Sequence, residues 1–134
     1  METKDVNLDT AIFVAELVID IFEKEFPEDK RPRNAIESAR KYLSHKDATA
    51  YDAVRVAARA AYVAAYDGAY DETRVAAYAA AYAARAAARV AAYDETRAAA
   101  YAARVARAAD EAYVATYTKI INYGLSLLKL KSKT

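Results

Sequence analysis

Three groups of residues in this chain have types and spacings that could do chemistry. Glu16, Asp20 and Glu23 follow at steps of four and three, which places their side chains on one face of a helix. Such an acidic ridge could wall one side of a metal site or steer a basic partner. A di-metal bundle, however, draws Glu-x-x-His pairs from its other helices, and the sole histidine is His45. There is no Cys, so a thiolate nucleophile and a Cys-His pair are excluded, and His45 stands by itself at a predicted helix start. The expectation is a protein with no catalytic set, no metal and no cofactor.

The second group is Asp29-Lys30-Arg31-Pro32-Arg33. In one reading Asp29 caps a helix that Pro32 opens, and Arg31 or Arg33 pairs with a carboxylate on a neighbouring helix. In the other, the two guanidinium groups clamp a carboxylate or phosphate on a partner, as their forked geometry allows.

The third is a phrase that returns. Tyr70-Asp71-Glu72-Thr73-Arg74 recurs verbatim as Tyr93-Asp94-Glu95-Thr96-Arg97, and Tyr51-Asp52-Ala53-Val54-Arg55 is a looser copy. An Asp-x-x-Arg pair at this spacing contributes only ~0.2 to 0.5 kcal/mol on a helix. Stability alone therefore does not account for a verbatim recurrence. Segment duplication does so most simply, and shared contact with a partner comes second.

These residues must be positioned by helices. Residues 48–115 are dominated by Ala, the residue of highest helix propensity because it loses no rotamer freedom. Val occurs singly there, without the period-two alternation of a strand. The chain is read as all-α, a compact bundle of five to six helices with closely packed Ala-rich centres. It divides into an N-terminal helical pair (1–47), Ala/Tyr/Arg-rich helices (48–115), and a C-terminal helix with a basic tail (116–134).

A first helix is expected from Asn7 or Asp9 to Pro27, with Leu8, Ile12, Ala15, Ile19, Phe22 and Phe26 as its apolar stripe. A second opens at Pro32 and buries Ala35, Ile36, Ala39 and Leu43. Ser44 with Asp47 resembles a capping box starting a third helix, which runs to Tyr66 before an Asp67-Gly68 turn. Further turns are expected near Tyr93-Asp94 and Asp110. Val114, Tyr117, Ile120, Ile121, Leu125 and Leu128 form a stripe of larger residues expected to pack on the first helix and, with it, to supply most of the core. Gly124 within that stripe suggests a close helix crossing, and Lys129, Lys131 and Lys133 suit a frayed helix C-terminus.

The Ala-rich helices carry their large side chains in rows. Tyr51, Arg55, Arg59, Tyr62 and Tyr66 form one, Arg74, Tyr78, Tyr82, Arg85, Arg89 and Tyr93 a second, and Arg97, Tyr101 and Arg104 begin a third. As glue, the rings fill the space that Ala leaves and guanidinium groups stack on them. As a face, Tyr and Arg are the residues most enriched in interface hot spots. The sequence leaves both open.

Residues 1–30 hold nine acidic against three basic groups, while residues 48–118 balance eight Arg with eight acidic residues. The balance disfavours a polybasic nucleic-acid surface. With no long uncharged apolar run, a membrane span is not expected, and a cytoplasmic protein is.

Ile21 to Arg33, then Ala35-Ile36-Glu37 and Ala39-Arg40, followed by the Ala-rich tract, closely resemble the Ala-rich, all-helical fifth class of immunity proteins of bacterial polymorphic toxin systems. The hallmark lies in Asp29 to Glu37, and the resemblance extends over nearly the whole chain. It implies a small cytoplasmic protein that neutralises a toxin by binding it. Members often carry His in the later helices, where this chain has Tyr113 and Tyr117. The candidate partner-binding residues are thus Asp29, Lys30, Arg31 and Arg33; Tyr70, Asp71, Arg74, Tyr93, Asp94 and Arg97; and Glu16, Asp20 and Glu23. Self-association through the Ala faces and Tyr rows is the alternative, and a Tyr/Arg nucleic-acid module ranks third.

Overall fold

The computed structural model describes the backbone of residues 3–67 and 69–132, and side chains from Leu8 to Ser126 except Gly68, Thr116, Tyr117, Lys119, Ile120 and Tyr123. The described residues form five helices: α1 (Thr3–Glu25), α2 (Arg31–Ser44), α3 (Ala48–Tyr66), α4 (Asp71–Ala91) and α5 (Glu95–Ser132). Among the described residues there is no strand. The all-α bundle is therefore as the Ala-rich composition predicts.

The architecture is organised around α4, which packs against each of the other four helices. A helix sheathed mostly in methyl groups can be surrounded in this way, because it has little polar surface to keep in water. Ala76, Ala77, Ala79, Ala80, Ala81, Ala83, Ala84, Ala86 and Ala87 are all buried, so α4 has no apolar stripe in the usual sense. Small side chains let neighbouring backbones approach at the short end of the usual ~8 to 10 Å. Around this rod the other four helices contribute the larger groups: Leu8, Ile12, Val18, Ile19 and Phe22 from α1, Ile36 from α2, Val54 from α3 and Val105 from α5.

Several helix ends lie where local chemistry puts them. Pro32 occupies the first turn of α2, where its missing donor costs nothing. The turn at Tyr93-Asp94 separates α4 from α5, with Tyr93 in the left-handed region at φ 59. Three expectations shift. Helix α1 begins at Thr3 rather than at Asn7 or Asp9, because a capping residue inside a helix costs too little to stop it. Ser44 does not form the box: it ends α2, with its hydroxyl 3.4 Å from the Arg40 carbonyl. Asp47 is itself the cap of α3, accepting from the Ala50 amide at 2.8 Å. No turn occurs at Asp110, since Ala108, Ala109 and Ala112 bury one face of α5 and leave Asp110 and Glu111 in solvent. At ~1.5 Å per residue, α5 is roughly 57 Å long.

The described members of the C-terminal stripe do not join the core. Val114, Ile121 and Leu125 are exposed, and α5 buries Ala98, Val105, Ala108, Ala109 and Ala112 instead. Nor does Gly124 mark a close crossing, since a Cβ added there would meet nothing within 4 Å. The side chains of Tyr117, Ile120, Leu128, Lys129, Lys131 and Lys133, and the backbone of Gly68, lie outside the described residues.

Candidate partner-binding face

The motif residues meet carboxylates of their own chain. Arg31 reaches Asp29 with Nε at 2.9 Å and Nη2 at 2.7 Å, and its Nη2 lies 3.3 Å from Asp67 at the end of α3. Arg33 grips Glu23 on α1 through Nε at 2.9 Å and Nη2 at 2.5 Å. The bidentate hydrogen bonds from Arg33 hold the Glu23 carboxyl below the usual carboxylate range, and those from Arg31 do the same for Asp29. Both guanidinium groups are correspondingly held in their charged form.

The acidic ridge is the other half of this arrangement. Glu16 pairs with Arg40 at 2.6 Å, and Asp20 lies 3.9 Å from Arg33. Instead of an open acidic face, the ridge is a seam between α1 and the antiparallel α2. Asp20 is its exposed member.

The copies of the repeated phrase sit at opposite ends of α4. Near its start Arg74 turns inward, its Nε 3.1 Å from both the Ala65 and Ala69 carbonyls. Its guanidinium carbon is also 5.6 Å from the ring centres of Tyr66 and Tyr70. In the second copy Asp94 caps α5 by accepting from the Arg97 amide at 3.2 Å, and Arg97 points outward with its Nε 3.6 Å from Asp94. Asp71 and Tyr93 adopt positive φ, 53 and 59, so the backbone leaves regular geometry at different positions of the two copies. The third copy lies within α3, where Arg55 stacks over Tyr51 at 5.5 Å.

Through the Arg31 contact to Asp67, the structure brings Asp29–Arg33 and Tyr70–Arg74 to one end of the molecule. Tyr66 and Tyr70 stand there 66% and 71% exposed. Asp71 and Lys30 are exposed as well. Tyr93, 86% exposed, and Asp94 and Arg97 belong to the opposite end. The two sets are separated by the length of α4, roughly 32 Å at ~1.5 Å per residue, so one compact contact cannot use both.

Between those ends the rows of Tyr and Arg act as glue. Helices α3 and α5 flank α4 without packing on one another, and the channel between them is filled by rings. Tyr62 meets Tyr78 and Tyr82 edge-on at 5.9 and 5.7 Å, and Tyr82 stacks on Tyr101 at 6.2 Å. Arg85 lies over Tyr62 and Tyr101, and Arg104 over Tyr82 and Tyr101. Burial pushes the Tyr78 phenol up to about 12 and raises that of Tyr62 as well. Sequence reasoning anticipated rings and guanidinium groups stacked as glue, but it missed the Arg74 contact to the end of α3 and which rings meet, because these join helices whose pairing only the fold defines.

Among the described residues, no group of His, Cys, Asp and Glu is arranged to hold a metal ion, and no helix is long and apolar enough to cross a membrane. The fold is an Ala-rich all-α bundle whose α1–α2 turn is stapled by arginine. The chain matches the Imm-5 like putative immunity protein family over residues 7–131 and belongs to that family. No curated protein and no solved structure matches it.

Proposed function

We propose that the protein is a non-enzymatic immunity protein that acts in the cytoplasm by binding a toxin directly. Family membership supports the general role. The observation that carries the site is the pairing of exposed Tyr66 and Tyr70 around Arg74, beside the Asp29–Arg33 turn. Tyr offers a large contact area at small entropic cost, and rings already ordered by a guanidinium lose less freedom on binding. In this reading Asp29, Arg31 and Arg33 shape the surface from behind, Lys30 and Asp71 rim it, and exposed Asp20 on the acidic seam steers a basic partner. Tyr93, Asp94 and Arg97 form a separate contact at the far end.

The test is affinity capture of the tagged full chain from its host lysate, read by mass spectrometry, beside a Tyr66→Ala plus Tyr70→Ala variant of unchanged helicity. A stoichiometric protein partner captured by the parent chain and lost from the variant is the expected result. Recovery of the chain alone, of nucleic acid alone, or of the partner undiminished by the variant would overturn the assignment.

A second reading, self-assembly, has one observation in its favour. Phe13 and Leu17 on α1 and Val114, Ile121 and Leu125 on α5 are exposed apolar residues, and α1 and α5 meet where the Tyr113 hydroxyl donates to the Leu17 carbonyl at 3.3 Å. Light scattering across a concentration series separates the readings, since a concentration-independent monomer excludes assembly.

A further inference from the structure

The antiparallel packing of α3 on α4 sets like residues opposite like. Tyr62 faces Tyr82 at 5.7 Å and Tyr66 faces Tyr78 at 5.9 Å. Continuing that register one and two turns further sets Arg59 against Arg85 and Arg55 against Arg89. Those four arginines do line a single cavity of about 230 Å³, completed by Tyr51 and Ala88. Two ranks of guanidinium groups therefore face each other across the groove.

Their charges are not cancelled by the surrounding protein. The nearest acidic contact is Asp52, exposed and 3.9 Å from Arg55. Among the described residues, no carboxylate lies within ion-pair distance of Arg59, Arg85 or Arg89. Arg85 is held by the faces of Tyr62 and Tyr101, at 5.1 and 6.0 Å from their centres. Stacking of that kind orients a guanidinium without using its N–H edges or neutralising its charge. Like charges gathered around one cavity favour the entry of an anion.

We infer that this cavity is a binding site for a compact polyvalent oxyanion, phosphoryl or polycarboxylate, gripped by guanidinium forks from both helices. Planar forks match the oxygen pairs of these groups and can share one anion from opposite sides. The half-buried position of Arg85 and Arg89 on α4 supplies the floor, and the exposed Arg55 and Arg59 on α3 supply the rim. The inference does not depend on toxin binding, and it concerns a different part of the surface from Tyr66 and Tyr70.

Titration calorimetry of the full chain with pyrophosphate, and separately with citrate, at matched ionic strength in chloride, tests it. Saturable one-to-one binding of at least one anion is expected, weakened by about tenfold or more in an Arg59→Gln plus Arg89→Gln variant through loss of charge-assisted hydrogen bonds. Arg107→Gln, at an exposed position on α5, should bind like the parent chain. Preference for pyrophosphate assigns a phosphoryl ligand, and preference for citrate assigns a carboxylate one. Protection of Arg59 and Arg89 from phenylglyoxal by the bound anion, read by mass spectrometry on the parent chain, gives the same answer without a variant. Absence of binding by both anions, binding undiminished in the double variant, or heats that follow ionic strength alone would overturn the assignment.

Discussion

Arg33 on α2 holds Glu23 on α1 through two parallel hydrogen bonds, Nε to Oε2 at 2.9 Å and Nη2 to Oε1 at 2.5 Å. Both side chains are partly shielded from solvent, with 31% and 23% of their surfaces exposed. Few other contacts fasten α1 to α2 directly, since both helices lean chiefly on α4 and their neighbours. Arg33→Gln should lower stability by about 1 kcal/mol, near the upper end for pairs at a surface and consistent with bidentate geometry. Arg33→Lys should recover only part, because a point charge cannot make both bonds. Urea unfolding of the variants measures each.

Stability should fall on acidification in a defined window. The pKa of Glu23 lies below its ordinary 4.5 and that of Asp29 below its ordinary 3.8. A depressed carboxylate contributes stability that is complete above its unfolded-state pKa and is lost as pH falls through the folded value. Stability should therefore be level from neutral pH to about pH 5 on this account and decline below that. Glu23→Gln combined with Asp29→Asn should flatten the decline, and a stability curve that kept its full slope would rule these two groups out as its cause.

The two verbatim copies of the repeat should respond differently to the same substitution. Arg74 donates to the Ala65 and Ala69 carbonyls and lies between two rings, whereas Arg97 is 66% exposed beside Asp94. Arg74→Ala should cost about 1 to 3 kcal/mol, because it leaves carbonyls at the end of α3 without their charged donor. Arg97→Ala should stay within about 0.5 kcal/mol, as for other exposed sites. Equal effects in thermal unfolding would contradict the inward placement of Arg74.

Enlarging a residue of the central helix should be costly out of proportion to its chemistry. Ala83 is fully buried on α4, so Ala83→Leu must displace packed backbones and should cost about 1 to 3 kcal/mol or more. The same change at exposed Ala99 on α5 should be nearly neutral. Paired chemical denaturation of the two variants makes the comparison.

Gly124 offers the opposite case. It lies inside α5 with open space around an added Cβ, so Gly124→Ala removes backbone freedom from the unfolded chain without a clash. A gain of about 0.5 to 1 kcal/mol in local helix stability is expected. Hydrogen exchange of the amides around residue 124 detects it, and unchanged protection would show that this part of α5 opens independently of that position.

Much of the local structure was legible because local causes produce it. The stripe from Leu8 to Phe22 is buried on α1, Pro32 opens α2, and the turn at Tyr93-Asp94 is present. The failures are equally specific. Asp110 reads as a helix break, but the Ala residues on either side of it are held on one buried face and carry the helix through. Val114, Ile121 and Leu125 read as core, yet the interior is taken by α4, whose Ala faces admit four neighbours and leave these three residues exposed. Apolar periodicity shows that a face exists without showing which helix will cover it.

The same division runs through the candidate sites. By itself the sequence determined an all-helical chain, since an Ala-rich segment with few breakers has no competing backbone conformation. It also determined rows of Tyr and Arg along the helices, because 3.6 residues per turn align steps of three and four. Only the tertiary structure decided what those rows meet. Antiparallel pairing of α3 and α4 set Tyr against Tyr and Arg against Arg, and a parallel pairing of the same rows would have opposed different partners. The packing of α4 against the end of α3 likewise turned Arg74 inward while its twin Arg97 stayed in solvent. Identical local sequence cannot distinguish two such environments, because the groups that separate them arrive from distant parts of the chain.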